Sequence, residues 1–511
     1  MVTSARPLLS SVVLLLLGCS ATPARVVESR GGKPLEAKHV RTEDGRQARQ
    51  EGAQVGRCET GRSGSEEGPT GATATRTRAT TGRRTESTDS LCLLRLEPTT
   101  HKRFDIADPS TQARVINEIW NTGARLEQVL VPYRFLLARG DPGRLGNIVG
   151  VKYVEVDKRG ALATPTEVAA SRELDASKSA ESPGKAADLP NDPLAYEQWS
   201  LTAVGVDRFW GGPDNWPTRA RTAALVAVLD SGVLRDHDDF DKESIEFSQL
   251  SRNFDDPTHE IDRDDLAHGT RVASILCAEG NNERGIAGFI WSGVVVDFKV
   301  LADRETRPVY PLVGAMFAAV EAGASVINLS VTVSLDHESR SLTEAVDYAF
   351  ENGVFIVCAA GNGARNLDRT SDKVRIYPGD LHRDNVIVVA AVDRSMVGLW
   401  TSSVGGAGSN YGKETVTLAA PGVDIVCADS RNQSAYGKYS GTSYAVPQVV
   451  GALALKWSSL QAGRIKAKAS GEPRKAALVE VRNSFLENNT RPVKELAEFV
   501  NGGRVLFLKA P

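Results

Sequence analysis

Sulfur, aromatic rings and unbalanced charge are all scarce in this chain of 511 residues. Aromatics make up 6% of it, and only 6 cysteines occur: Cys19, Cys58, Cys92, Cys277, Cys358 and Cys427. No CxxC pair and no Cys/His spacing of the zinc-module kind links them, so a structural zinc fold is not expected. Three sit inside apolar runs, at Ile275-Leu276-Cys277, Ile356-Val357-Cys358 and Ile425-Val426-Cys427. Such settings suit buried thiols packing as small hydrophobes, with a disulfide as the alternative in an oxidising compartment. The 61 Lys and Arg residues nearly cancel the 64 Asp and Glu residues, leaving a net charge of -3. Without a basic field, nucleic acid is not an expected partner. The N-terminal apolar stretch, residues 8–17, is too short to cross a bilayer as a helix.

That stretch instead has the layout of an export signal: Arg6, the apolar run, then Gly18-Cys19-Ser20. Leu16-Leu17-Gly18-Cys19 resembles the lipobox of bacterial lipoproteins, which implies signal residues 1–19, lipidation of Cys19 and a membrane anchor. The alternative is an ordinary signal peptide cut near Ala24. Either way the protein is exported, to the bacterial cell envelope as a lipoprotein or as a secreted chain.

Residues 20–89 are rich in Gly, Arg, Thr, Ser and Glu without apolar periodicity, and read as a disordered tether. Over 90–157 the pattern predicts the order β-α-β-β-α-β, a small α+β sandwich of ferredoxin-like type. Residues 158–190, rich in Ala, Ser, Glu, Lys and Pro, read as a linker. From 191 to 511, Val/Ile runs at 225–229, 294–300, 326–331, 354–359 and 386–392 alternate with helical patterns at 270–278, 312–322, 342–351 and 443–459. Unbroken apolar strands between helices predict an α/β fold, a doubly wound and mostly parallel sheet covered on both faces.

Chemistry-bearing residues fall at the ends of these elements. The run 224–229 delivers Asp230 at its carboxyl end, the edge where open α/β sheets bind ligands. His268 opens a predicted helix, where the positive dipole end favours a neutral, proton-accepting imidazole. Ser443 precedes the apolar run 449–457, so its hydroxyl stands beside helix N-terminal amides able to steady an oxyanion. The strand 354–359 runs into Ala360-Gly361-Asn362-Gly363, a loop able to supply a second donor. Each element alone reads as a cap or a turn. Together they fill four interdependent roles, because a serine hydroxyl needs a base, the base an orienting carboxylate, and the tetrahedral intermediate its donors.

The chain order Asp, His, Ser and the absence of a Gly-x-Ser-x-Gly elbow fit the subtilisin arrangement. Val228-Leu229-Asp230-Ser231-Gly232-Val233, His268-Gly269-Thr270, Ala359-Ala360-Gly361-Asn362 and Gly441-Thr442-Ser443 with Pro447 resemble the signature blocks of subtilisin-like serine proteases. The resemblance covers residues 191–511 and implies a serine endopeptidase acting on proteins or peptides. It makes Ser443 the nucleophile, His268 the general base and acid, Asp230 its orienter and Asn362 the oxyanion donor. No cofactor is implied for catalysis. Structural calcium is implied at Asp192, Asp239 and Asn282, whose oxygens suit a hard cation; hydrogen-bonded turn residues are the alternative. The segment 90–157, ending Val151-Lys152-Tyr153-Val154-Glu155, resembles the inhibitory prodomain of such zymogens, which implies an intramolecular inhibitor removed by self-cleavage.

The chain departs from the family at several positions. Tyr444 and Gln448 replace the usual Met and His, Ser330-Val331-Thr332-Val333 lacks the usual Gly, and Ile376 stands where a small residue often floors the primary specificity pocket. A narrowed pocket favouring small side chains is expected. Two rivals compete with the protease reading: a degraded relative that binds peptides without cutting, and a metal-dependent hydrolase built on Asp255, Asp256, His259, Asp262, Asp264, Asp265 and His268.

Overall fold

The structure is a computed structural model that describes residues 90–97, 109–131, 134–157, 161–163, 189–240, 245–256, 263–301, 308–369, 374–402 and 406–509. The expected export signal with Cys19, the tether 20–89, His259, Asp262 and most of the linker lie outside the described residues. No helix among the described residues is long and apolar enough to cross a membrane.

Strands β1 (Ser90–Leu96), β2 (Arg125–Val131), β3 (Phe135–Gly140) and β4 (Val151–Val156) form an antiparallel sheet in the order β2-β3-β1-β4. Helices Pro109–Asn121 and Pro142–Gly146 complete the β-α-β-β-α-β order. β1 is apolar at almost every position because both of its faces are covered. Cys92, Leu94 and Leu96 pack against Val115, Ile119 and Leu145 of this layer, while Leu93 points the other way into the main core. Side chains alternate across a strand, so the run of leucines serves two cores at once.

The main sheet contains β6 (Val226–Asp230), β7 (Ile245–Phe247), β8 (Arg252–Asn253), β9 (Gly293–Lys299), β10 (Val326–Leu329), β12 (Phe355–Ala359), β14 (Val386–Val392), β15 (Leu418–Pro421), β18 (Thr490–Pro492) and β19 (Arg504–Leu506). Its order is β18-β19-β15-β14-β12-β10-β6-β9-β7, with β8 beside β9. Every pair is parallel except β18 with β19. The expected doubly wound, mostly parallel sheet is therefore present. β6 pairs with β9 on one side and β10 on the other, which makes it the switch point where such sheets open a crevice at their carboxyl ends.

Helix Thr442–Leu455 is buried at every position and packs under the sheet, as its all-round apolar sequence requires. Cys277 and Cys358 are buried thiols in that core, outside any disulfide.

Two expectations need correction. The apolar run 326–331 is not one strand: β10 stops at Leu329 and β11 (Thr332–Leu335) starts in a separate three-stranded sheet. Nor is the linker featureless, because residues 161–163 form β5 (Ala161–Ala163), antiparallel to β11, while β13 (Arg375–Tyr377) lies along the other edge of β11. An Ala-rich triplet carries no period of its own; its order comes from the backbone groups of the edge it meets. The remaining strands, β16 (Ile425–Asp429) and β17 (Ala435–Tyr439), make a hairpin.

Candidate active site

β6 ends at Asp230, and its carboxylate is 1% exposed. Oδ1 accepts a hydrogen bond from the Ser231 amide at 2.8 Å and lies 2.7 Å from Nδ1 of His268. His268 is the first residue of helix His268–Cys277, two positions earlier than the pattern suggested, and is likewise 1% exposed. The helix start approaches the 230–233 loop so closely that a Cβ on Gly269 would lie 2.1 Å from the Gly232 carbonyl oxygen. Only glycine permits that approach, which brings imidazole and carboxylate together.

A second buried acid supports this pair. Asp264 accepts bonds from the Thr270 amide (2.8 Å), the Thr270 hydroxyl (2.6 Å) and the Ser231 hydroxyl (2.7 Å), and Ser231 Oγ in turn accepts the Gly269 amide at 2.9 Å. Burial pushes the Asp264 carboxyl above its ordinary value, and the nearby Asp230 charge adds to the rise.

Ser443 lies in the first turn of helix Thr442–Leu455, where leading amides have no intrahelical acceptor. Its hydroxyl donates to the Ser330 carbonyl at 2.7 Å. Pro447, four residues on, has no N–H to give the Ser443 carbonyl; the Ser330 hydroxyl donates to that carbonyl instead at 2.9 Å. Asn362 is fixed from one end: Oδ1 accepts the Thr442 amide (3.0 Å) and the Thr442 hydroxyl (2.8 Å). Its Nδ2 is buried and has no hydrogen-bond partner among the described residues. A buried donor held without an acceptor is costly, and it is the arrangement needed where negative charge appears only during a reaction.

The departures from the family pattern have visible roles. Tyr444 stacks between the His268 ring (5.9 Å between centroids) and the Tyr439 ring (5.8 Å). Gln448 Nε2 donates to the Pro421 carbonyl at 2.6 Å and to the Tyr444 carbonyl at 2.9 Å, tying the helix to the end of β15. Arg271, one turn beyond His268, pairs with buried Asp429 at 2.9 Å and lies 3.8 Å over the Tyr439 ring. Burial pushes the Asp429 carboxyl up, but the Tyr439 hydroxyl and the Arg271 charge outweigh it and hold the group below its usual range. Ile376 sits on β13 opposite Ser334 of β11 and lines a cavity of about 440 Å³ together with Asp336, Arg365, Asn366 and Asp380.

The described members of the acidic cluster 255–268 serve separate partners. Asp264 serves Ser231 and Thr270, Asp265 pairs with Lys299 at 3.0 Å, and His268 faces Asp230. Among the described residues no group of three or more His, Cys, Asp or Glu side chains is placed to hold a metal ion. Asp192, Asp239 and Asn282 do meet around one loop: Asp192 accepts the amides of Asn281 (2.7 Å) and Asn282 (3.2 Å), and Asp239 accepts the Ile286 amide at 2.9 Å. Burial raises the Asp192 carboxyl to about 7 and lifts that of Asp239 well above its ordinary value. Two buried acids with no ion pair among the described residues, beside an Asn side chain, are a hard-oxygen donor set that fits calcium.

Ser330 and Asp264 take roles here that their sequence neighbourhoods do not announce. Asp264 was visible only as one more acid in a charged loop.

The fold and this constellation define a serine hydrolase scaffold of the subtilisin type. The chain belongs to the subtilase family: the Peptidase S8 model matches residues 221–489, more than half of its length. It is 34% identical over 266 residues to a thermophilic serine proteinase of Bacillus sp. (strain AK1), covering 50% of this chain and 59% of that relative. To the intracellular serine protease of Paenibacillus polymyxa it is 33% identical over 248 residues, 48% of this chain and 69% of the relative. In fold it is similar to the epidermin leader peptide processing serine protease of Staphylococcus aureus, with a TM-score of 0.56 at 18% identity over 82% of this chain and 97% of that one.

Proposed function

We propose that this protein is an exported serine endopeptidase, made as a self-processed zymogen, that cuts protein or peptide substrates through an acyl-enzyme. The buried 2.7 Å contact between His268 and Asp230 carries the reading. It fixes Nδ1 as the carboxylate's partner and leaves Nε2 to take the Ser443 proton once that hydroxyl turns away from Ser330. Ser443 Oγ then attacks the substrate carbonyl. The oxyanion receives Asn362 Nδ2 and an amide of the first helical turn, and His268 returns the proton to the leaving amine. Water repeats the sequence on the acyl-enzyme.

Residues 90–157 act in this reading as an intramolecular inhibitor. Support comes from the docking contacts: the Glu155 carboxylate accepts the Ser339 hydroxyl (2.6 Å) and the Ser341 amide (2.8 Å) at the start of helix Arg340–Glu351. Asp157 accepts the Val309 amide at 3.1 Å before helix Tyr310–Glu321. Carboxylates at helix N-termini satisfy orphan amides and the positive dipole end. Beyond them β5 pairs with β11, the edge an extended substrate would use.

A fluorophosphonate probe tests the activity. Labelling of the matured chain that is lost in Ser443→Ala supports the enzyme; no labelling of the matured wild type would make it a peptide binder. Ser443→Ala, purified away from other proteases, should remain uncut between 157 and 191. Calcium at Asp192, Asp239 and Asn282 would be structural: it should raise Tm in wild type and not in Asp239→Asn. Lipidation predicts fatty-acid labelling that disappears in Cys19→Ala.

A further inference from the structure

The loop that carries Asn362 leaves β12 at Ala359 and turns at once, with Gly361 at φ +95°, a left-handed conformation that side chains disfavour. Such a turn does not hold itself in place. Thr442 anchors the Asn362 carbonyl oxygen, but the direction of Nδ2 also depends on the backbone on either side.

Both sides are held by a single residue from 45 to 50 positions later in the chain. The Asn410 side chain is buried, with 3% of the residue exposed. Its Oδ1 accepts the amides of Gly363 at 3.0 Å and Arg365 at 2.9 Å, downstream of Asn362. Its Nδ2 donates to the Ala360 carbonyl at 2.8 Å, upstream, and its backbone amide donates to the Gly361 carbonyl at 2.8 Å. Four hydrogen bonds from one asparagine therefore bracket the residue whose Nδ2 lacks a partner among the described residues. An amide side chain is needed, because only it offers a donor and a double acceptor in one plane.

We propose that Asn410 is the positioning residue of the oxyanion loop, aiming Asn362 Nδ2 at the point where charge develops on the substrate. The proposal rests on the oxyanion role assigned to Asn362. A plain structural staple would stabilise the loop whether or not the Asn362 amide existed; a positioning residue matters to catalysis only while that amide is there to be aimed.

A double-mutant cycle separates these roles. Full-length chains are activated, active sites are counted by fluorophosphonate titration, and kcat and KM are measured on a chromogenic peptide. Asn362→Ala should lower kcat by about 100- to 1,000-fold. Asn410→Ala should lower kcat by up to about 100-fold with little change in KM, as expected for an angstrom-scale misplacement. In the Asn362→Ala background the same substitution should cost almost nothing further. If Asn410→Ala does not fold, Asn410→Ser, which keeps an acceptor for one of the two amides, takes its place in the cycle. Equal losses in both backgrounds, or an unchanged kcat in the Asn410 variant, would overturn the proposal. An unchanged kcat in Asn362→Ala alone would remove the oxyanion role itself.

Discussion

Ser330 and Ser443 exchange two hydrogen bonds: Ser443 Oγ donates to the Ser330 carbonyl at 2.7 Å, and Ser330 Oγ donates to the Ser443 carbonyl at 2.9 Å. In the proposed mechanism the first bond must break before the Ser443 hydroxyl can attack. The second repairs the gap that Pro447 leaves in the helix. Ser330→Ala should leave that carbonyl buried without a donor, at a cost of about 1–3 kcal/mol, and so lower Tm. Calorimetry showing an unchanged Tm would mean that the gap is filled in some other way.

Glu155 is one of several residues of the 90–157 segment that contact the rest of the chain. Glu155→Ala removes two acceptor contacts from the start of helix Arg340–Glu351. A loss of about 2 kcal/mol in the docked state corresponds to a roughly 30-fold weaker hold. The full-length variant should therefore label with a fluorophosphonate faster than wild type. Equal labelling rates would indicate that β5 alone occludes the cleft.

Asp264 gives a pH signature with a definite sign. Its folded carboxyl lies above the unfolded value because it is buried, so the proton it carries favours the fold at low pH and that contribution is lost as pH rises through the folded value. Asn at this position can still accept from Thr270, while Ser231 turns its hydroxyl to Asp230 Oδ1, now 3.3 Å away. The Tm of Asp264→Asn relative to wild type should therefore improve from pH 4 upward. A difference that shrinks over the same range would reverse the assignment.

Substrate choice is expected to turn on Ile376. Replacing it with glycine enlarges the cavity that β13 lines, and a peptide library should then show greater tolerance of large residues before the cut. Wild-type enzyme that already prefers Phe or Arg would refute the narrowed pocket.

Most of the central sheet was legible because parallel strands buried on both faces announce themselves as Val/Ile runs, and Val386–Val392 falls where its run does. Asp230, His268, Ser443 and Asn362 could be read because each sits at the boundary of such an element. What escaped was set by partners distant in sequence. Apolar patterning continues through Ser330, yet the strand breaks there because that residue is engaged by Ser443, 113 positions away. β5 has three residues and takes its order from β11. Asn410 lies in a loop without periodicity, and its partners at 360–365 become neighbours only after folding.

The pairing of β5 with β11 sets an effective concentration. Both strands belong to one polypeptide, so if residues 90–157 inhibit as proposed, dilution would not relieve that inhibition before the connecting chain is severed; the segment would meet the cleft at a local concentration on the order of millimolar. After a cut, inhibition would become an encounter between two molecules and would weaken with volume. On the proposed reading, a single backbone scission would thus convert a first-order latch into a second-order one.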